Sequence, residues 1–374
     1  MVTVEGHEKL CRLVNACRQG ADNTTPMSLV QEMIDKIPED IWKDTSATIL
    51  DPAAGTGTFL VAAYWKMIQA GDTHENIISN RLFACEINLV YLKIIKDKLG
   101  IKNIYDKDFL QLDLDMKFDV IIGNPPYQAD TNTEGANRQG DYWYKFLLKA
   151  TEYGNTIAFI TPTSIFSSGG FGGKRHKISA LLNRGFNFKY INPDVSDMFN
   201  VGIKICYYVL NNYNTSRNTY LPDGNVLNID TEVPVPFILN STNHSIIRKV
   251  YKAGGGWPFK EVYKGSEEGC SVRFNGGRFK TYDKVEIGKT SEGVNKGQGI
   301  EIESDKITEY SSIFKSKLLK YVFSILGGES GQSATGILQS LPNPGVNRVW
   351  TDALLYEEFN LTQEEIDLIE STVD

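Results

Sequence analysis

The sequence predicts an α/β fold: a mostly parallel sheet covered on both faces by helices, with a late antiparallel strand and a smaller mixed α/β domain after it. Three observations predict this. Short, continuously apolar runs alternate with longer segments of helical periodicity between about residues 47 and 213. Strands buried on both faces and joined by helical crossovers have that pattern. A glycine-rich turn, DPAAGTG (51–57), joins the first apolar run to a helix, where backbone and a helix N-terminus can face a ligand. After about residue 214 the alternation stops, Asn, Thr and Ser rise, and short polar segments take over.

Each element has a local reason. His7, Leu10, Leu13, Val14 and Cys17 form one apolar stripe of a short helix within residues 1–24, and Gln19–Asn23 reads as a turn. Thr25 then caps a second helix with Pro26 at its first position, and Leu29, Met33 and Ile37 step along its buried face. ATILDP (47–52), RLFACEI (81–87), NIYDKDF (103–109), FDVIIGN (118–124) and NTIAFITP (155–162) are strands. FLVAAYWKMIQA (59–70), LVYLKIIKDKL (89–99), YWYKFLLKA (142–150) and KRHKISALLNRG (174–185) are the helices between them. FNFKYINPD (186–194) and GIKICYYVLNNY (202–213) are close enough in sequence to form an antiparallel hairpin at the sheet edge. In the C-terminal part, VPVPFI, WPFKEVY, CSVRF, RFKTYDKVEI and GQGIEI read as short strands, and residues 313–326 as one helix. Thr362, three residues before Glu365, gives the last helix a capping box.

Composition bounds the function. At 374 residues, 41% hydrophobic and 23% charged, the chain has the makeup of a globular protein and not of a disordered or collagen-like one. No run approaches the roughly 20 apolar residues of a membrane span, and the N-terminal MVTVEGHEKL lacks the basic-then-apolar order of a secretory signal. Five scattered cysteines (11, 17, 85, 206, 270) without a CxxC fit a reducing compartment and argue against a Cys-rich zinc site. The net charge of −7 argues against a broad polyanion binder and confines any nucleic-acid surface to a local positive strip.

The motifs carry the chemistry. DPAAGTG lacks the GKS/GKT ending of a triphosphate loop. It is not GxGxxG either, since Thr58 and Phe59 follow Gly57 and a close-packing glycine is missing, so an uncharged adenosine ligand fits better than a pyrophosphate. Glu86, ending the second strand, can accept both hydroxyls of a ribose. Asp108, ending the third, can accept an adenine amino hydrogen, with Phe109 beside it to cover the ring. The fourth strand ends in Asn124-Pro125-Pro126-Tyr127. Two prolines fix the backbone there. The Asn124 side-chain carbonyl and the Pro125 carbonyl make two acceptors for the two hydrogens of an exocyclic amine, and Tyr127 offers a flat face to a planar base.

In this order, DPAAGTG, Glu86, Asp108–Phe109 and NPPY resemble the S-adenosylmethionine-dependent amino-methyltransferases, and among them the adenine-N6 DNA methyltransferases of restriction–modification systems whose cofactor motif precedes the catalytic one. The resemblance covers about residues 20–215. It implies a Rossmann-like catalytic domain over 1–215 with S-adenosyl-L-methionine as cofactor and no metal. It implies that Asp51, Ala53, Gly55, Gly57, Thr58 and Phe59 hold the methionine and backbone portions of the cofactor, with Thr25 and Pro26 closing the methionine end. Glu86 then takes the ribose, Asp108 and Phe109 the adenine, and Asn124, Pro125, Pro126 and Tyr127 a flipped target base, with Phe199 on its other face. Double-stranded DNA is the implied partner. Work as a monomer or homodimer, in the cytoplasm of a prokaryotic or phage-infected cell, goes with it.

Residues 216–345 are then the expected target-recognition domain, with Arg248, Lys249, Lys252, Lys260, Lys264, Arg273, Arg278, Lys280, Lys284 and Lys289 to meet phosphates and Trp257 or Tyr282 as wedges. Arg138, in the polar loop 128–141, and the basic cluster 174–177 are further expected contacts. Residues 346–374 are expected to pack back on the body, latched by Arg348, Trp350 and Asp352; no PD…ExK nuclease block is evident. Adenine-N6 methylation of RNA, glutamine methylation of protein, cytosine-N4 methylation and a non-catalytic binding module are the alternatives.

Overall fold

The computed structural model describes residues 3–6, 8–9, 25–128, 142–166, 177–200, 202–213, 216–231, 233–253, 260–262, 270–274, 285–289, 297–326 and 341–373, with side chains absent from the description at 252–302 and 304. The N-terminal stripe, Arg138, the 174–176 cluster, Trp257, Lys264, Arg278, Lys280, Tyr282 and Lys284 therefore lie outside the described residues, as do the side chains of Lys252, Lys260, Arg273 and Lys289. The chain forms two compact units, Met1–Thr163 with Leu181–Ile229 and Ser164–Ala180 with Asp230–Asp374.

The first unit is built on a nine-stranded sheet. Its strands are β1 (Ile49–Asp51), β2 (Leu82–Cys85), β3 (Asn103–Tyr105), β4 (Phe118–Gly123), β5 (Gly154–Pro162), β6 (Asn187–Asn192), β7 (Ile205–Asn211), β8 (Asn218–Tyr220) and β9 (Val226–Asn228). They lie in the order β3-β2-β1-β4-β5-β7-β6-β8-β9. The first five run parallel to one another, and β7 is antiparallel to both β5 and β6. This is the Rossmann-like arrangement with a late antiparallel strand expected from the sequence.

The crossover helices are α3 (Thr58–Gln69), α4 (Leu89–Ile94), α5 (Tyr142–Tyr153) and α6 (Lys177–Asn183); α1 (Met27–Ile34) and α2 (Glu39–Lys43) precede the sheet. Alternation along the strands assigns the faces. Val120 and Ile122, Ala158 and Ile160, and Tyr207 and Val209 all join one core with Leu29, Val30 and Met33 of α1 and Leu60, Val61 and Met67 of α3. Each fully buried aliphatic side chain there contributes about 1.5–3 kcal/mol. Arg81 is the one large charged side chain in the fully buried set among the described residues. It pairs with Asp72 at 2.7 Å and donates to the carbonyls of Ala47 and Ile41 at 2.9 and 3.1 Å.

Four local expectations change. The β6–β7 pair is not at the sheet edge, because β7 inserts between β5 and β6 and a further hairpin, β8–β9, continues the sheet. Buried Thr219 fastens that hairpin by donating to the Phe188 carbonyl at 3.0 Å. Thr25 does not cap α1: the helix starts at Met27 behind Pro26 and has no side-chain cap. β3 ends at Tyr105, and Asp108 instead caps a 3₁₀ turn, accepting the Leu110 N–H at 2.9 Å. Gly57 proves to be a close-packing glycine after all, as described below.

The second unit contains a four-stranded antiparallel sheet of β10 (Lys260–Val262), β11 (Cys270–Phe274), β12 (Val285–Lys289) and β13 (Gly297–Ile302), in the order β10-β13-β11-β12. Its helices are α7 (Ser241–Ala253), α8 (Ile307–Phe314), α9 (Lys317–Ile325), α10 (Asp352–Glu358) and α11 (Gln363–Thr372). The single helix expected over 313–326 is two, because Ser316 breaks the run by capping α9 through the Leu319 N–H at 3.2 Å. VPVPFI forms no strand. The capping box on α11 is present, with Thr362 and Glu365 exchanging bonds. Ile246 and Val250 of α7, Phe314, Leu318, Val322, Trp350, Leu355 and Ile369 form this unit's own core, so residues 346–374 join it. Within it Arg348 stacks 4.0 Å over the Trp350 ring, and Asp352 accepts the Lys317 N–H at 2.8 Å. Among the described residues no helix is long and apolar enough to cross a membrane.

Candidate active site

The site forms where the parallel strands of the first unit end. β1 delivers Asp51 into the glycine-rich turn, which is held from several sides. Asp51 Oδ1 accepts the Ala53 N–H at 3.1 Å, Ala54 N–H reaches the Cys85 carbonyl at 3.0 Å, and Gly57 N–H closes on the Ala54 carbonyl at 2.8 Å. Gly55 and Gly57 both have positive φ, +53° and +84°. Around Gly55 an added Cβ would meet nothing within 4 Å, so the backbone there is open to a ligand. At Gly57 a Cβ would lie 2.3 Å from Leu99 Cδ1, a side chain only 1% exposed. Gly57 thus serves the turn and the close approach of the helical turn Ile95–Leu99, which continues α4, together. Gly57→Ala is expected to lower unfolding stability by about 1–3 kcal/mol through overpacking and strained φ, read as a lower urea midpoint at unchanged slope.

Thr58 and Phe59 begin α3 and are buried, Phe59 in the main core. They support the turn from beneath. Glu86 follows β2 and is already engaged: Oε2 accepts the Gly55 N–H at 2.7 Å, and Oε1 accepts the N–H groups of Ile87 and Asn88 at 2.8 and 2.7 Å. A carboxylate oxygen has two acceptor lone pairs, so Glu86 ties the turn to β2 and keeps capacity for further donors. Asp108 accepts from Leu110 N–H and, at 3.4 Å, from the Tyr142 hydroxyl.

Phe109 does not line an open crevice. It is 1% exposed, 5.6 Å from the Phe146 ring, with Lys149 over its face. Ile87, which the sequence reading passed over, is 63% exposed beside Glu86. An exposed aliphatic next to an acceptor carboxylate is the better apolar cover for a planar ring. Its signal in the sequence was a lone apolar residue between a strand-ending acid and the helix cap Asn88.

The NPPY segment follows β4. Gly123 precedes it for a steric reason: a Cβ there would lie 2.9 Å from Asp51 Oδ1. That glycine, also missed in the sequence, lets the end of β4 close against the end of β1. Asn124 Nδ2 donates to Thr25 Oγ1 at 3.2 Å, while Asn124 Oδ1 is buried with no hydrogen-bond partner. Pro125 is buried and Pro126 exposed. Tyr127 and Phe199 both pack partly buried against the main core. The Tyr127 hydroxyl is buried close to the Asn124 amide. Burial pushes its phenol well above the ordinary range, Cys206 adds to the rise, and the nearby Asn124 amide opposes it.

Asp51 Oδ2 is a further buried oxygen of this site with no hydrogen-bond partner among the described residues. Burial pushes its carboxyl up to about 8, against the pull of the Ala53 N–H and with a further push from Glu86. Buried polar atoms without partners are few in native proteins. Two of them, Asp51 Oδ2 and Asn124 Oδ1, sit at adjoining strand ends beside an open glycine turn, so these acceptors fit a ligand that brings its own donors. Among the described residues no group of His, Cys, Asp or Glu side chains is placed to hold a metal ion.

This sheet order, with its antiparallel strand between β5 and β6 and a glycine turn after β1, defines the S-adenosylmethionine-dependent methyltransferase fold. Residues 50–192 match the family model for Eco57I restriction-modification methylase. The chain is 27% identical over 229 residues to the type II methyltransferase M.HincII of Haemophilus influenzae, an alignment covering 56% of this chain and 40% of that protein. It is 26% identical over 190 residues to the type II methyltransferase M.VspI of a Vibrio species, covering 44% of each. The chain thus spans less than half the length of the curated relatives it matches. Among solved structures, the methyltransferase subunit of a type I restriction-modification system from Streptococcus thermophilus aligns with a TM-score of 0.42 and 17% identity, over 55% of this chain and 48% of that one. The resemblance seen in the motifs is borne out by the family match: the segment is of the restriction–modification methylase kind, and S-adenosyl-L-methionine is the cofactor that goes with it.

Proposed function

We propose that the chain transfers the methyl group of S-adenosyl-L-methionine to the N6 amino group of a flipped adenine in double-stranded DNA, at a defined sequence. The observation that carries this reading is Asn124 Oδ1, a buried acceptor without a partner at the end of β4, beside the Pro125 carbonyl.

An aromatic amine is a poor nucleophile because its lone pair is delocalised into the ring. Two acceptors at Asn124 and Pro125 favour a more tetrahedral nitrogen and stabilise the positive charge that develops during attack. The cofactor supplies an activated methyl on a sulfonium. The protein's task is then chiefly to orient and to exclude water. Tyr127 and Phe199 flank the base, which must leave the duplex stack to reach them. Asp51, Ala53, Gly55, Gly57, Thr58 and Phe59 shape the cofactor turn, Glu86 accepts from the ribose, Asp108 from the adenine, and Thr25–Pro26 close the methionine end. Phe109 acts from within the core, and Ile87 covers the ring.

Residues 216–345 are the proposed target reader, with 346–374 completing that part of the chain. Two of the expected phosphate contacts are engaged elsewhere: Arg248 pairs with Asp230 at 2.6 Å and Lys249 with Glu365 at 2.7 Å, both acids being nearly buried. The DNA surface in this reading rests on the other basic residues of that segment.

The test is transfer of labelled methyl to duplex DNA, structured RNA and protein in parallel, followed by nucleoside analysis. N6-methyladenine in DNA is expected; label only in RNA or in glutamine would replace the reading. Glu86→Ala is expected to weaken cofactor binding about 10- to 100-fold, the worth of hydrogen bonds to a charged acceptor. Calorimetric titration checks it, and unchanged affinity would remove the ribose role.

A further inference from the structure

We propose that Thr25 is a positioning residue for Asn124: its hydroxyl takes the amide N–H of Asn124 and thereby turns the amide carbonyl toward the amine to be methylated. The inference rests on the methyl-transfer reading and adds to it a role for Thr25 other than contact with the cofactor.

A primary amide has two faces of opposite polarity. Only the Oδ1 face can accept from a nucleophilic amine, whereas the Nδ2 face would present hydrogens to the amine's own hydrogens. The two orientations have almost the same shape, so packing alone does not choose between them. A hydroxyl on one side can accept from Nδ2 or donate to Oδ1; in this structure it accepts, and that arrangement is the one that leaves the carbonyl outward. Thr25 stands on that side: Asn124 Nδ2 lies 3.2 Å from Thr25 Oγ1, and Oδ1 is left buried with no partner.

Thr25 itself is 7% exposed and does not cap α1. Its hydroxyl therefore has no helix-capping duty, and the bond to Asn124 spans 99 residues of sequence. Pro26 at the N-cap of α1 holds φ at −60°, which fixes the chain next to Thr25. Leu29, Val30 and Met33 of α1 are fully buried in the same core as Val120 and Ile122 of β4. Both partners of the bond are thus anchored in one packed body, and the amide direction is set before the acceptor arrives.

The test compares Thr25→Val and Thr25→Ser in the full chain, using genomic DNA from a methylation-deficient host as acceptor at saturating S-adenosyl-L-methionine. Thr25→Val keeps the shape and removes the acceptor. It is expected to lower the single-turnover methyl-transfer rate about 10- to 100-fold, in line with loss of one hydrogen bond that acts mainly in the transition state. Any rise in the cofactor's dissociation constant reports the place of Thr25 at the methionine end and is kept out of the rate by saturating cofactor. Thr25→Ser keeps the hydroxyl and should restore most of the rate. In an Asn124→Ala background, Thr25→Val should have no further effect. An unchanged rate in Thr25→Val overturns the proposal, as does a loss confined to cofactor affinity or a full additional loss on top of Asn124→Ala. If the unsubstituted chain methylates RNA or protein and not DNA, the DNA reading fails while the same comparison on that acceptor still decides the role of Thr25. If it methylates none of them, both fall.

Discussion

Asn124→Ala is expected to lower the rate of methyl transfer by about 10²–10³-fold, the usual cost of removing one preorganised hydrogen-bonding group from a site of developing charge. Binding of S-adenosyl-L-methionine should stay within about threefold of the parent. The split between the two follows from where Asn124 sits. Its side chain follows the end of β4 and donates to Thr25, with the Tyr127 hydroxyl close by. The glycine-rich turn is held by Asp51, Cys85 and Glu86, without help from Asn124. Removing the side chain takes away the buried acceptor and leaves that scaffold in place. Single-turnover transfer and calorimetric titration on the same preparation check it. A parallel loss of rate and cofactor affinity would mean that Asn124 belongs to the cofactor's binding site and not to the acceptor's.

The second large effect is on stability. Arg81→Leu is expected to destabilise the first unit by about 3–5 kcal/mol, because it leaves the Asp72 carboxylate buried without its cation. The side chains of Arg81 and Asp72 are 0% and 4% exposed, so water cannot replace the lost partner. The arginine also holds the Ala47 and Ile41 carbonyls, which fix the approach to β1. Its loss therefore loosens the strand that carries the glycine-rich turn.

The pH dependence of this pair has a definite sign. Burial alone would raise the Asp72 carboxyl, but Arg81, Asn76 and the Thr73 N–H outweigh it and hold the group below its ordinary value. A depressed acid stabilises the fold above the unfolded value near 3.8 and loses that contribution as pH falls through the folded value. The penalty of Arg81→Leu should accordingly be full at neutral pH and shrink in acid. Urea unfolding at pH 7 and pH 3 measures both; an equal penalty at the two values would count against an electrostatic origin.

The parallel half of the sheet was legible because its signals are local. Apolar runs such as FDVIIGN and the glycine turn DPAAGTG carry strand, helix and crossover in a few residues each. Expectations failed where long-range packing decided the outcome. Whether Gly57 packs closely depends on Leu99, some forty positions on, and nothing near Gly57 announces it. Thr25 looked like a helix cap because Thr before Pro usually is one, yet its hydroxyl faces Asn124. The β8–β9 hairpin lay hidden in a polar stretch, since each strand buries only its middle residue. Arg248 and Lys249 looked like phosphate contacts because their acidic partners are 18 and 116 residues away. In the candidate site, residue types and strand ends could be read from the sequence. Which oxygen of which side chain was left unpartnered could not, because that is a property of the packed structure.

The place of β1 between β2 and β4 has a consequence for how the molecule comes into being. Asp51 is covered by Gly123, which lies at the end of the other strand flanking β1. A chain cut at residue 117 contains the residues of β1, β2 and β3 and the glycine-rich turn, but has nothing to lay along the other side of β1. Its carboxylate then faces water and Thr25 has no amide to receive. β1 gains its second neighbour only when β4 pairs with it, across about seventy residues of sequence, and non-local pairings of this kind are slow to form. A fragment ending before β4 would hold the glycine-rich motif without Gly123 and Asn124 at the neighbouring strand end.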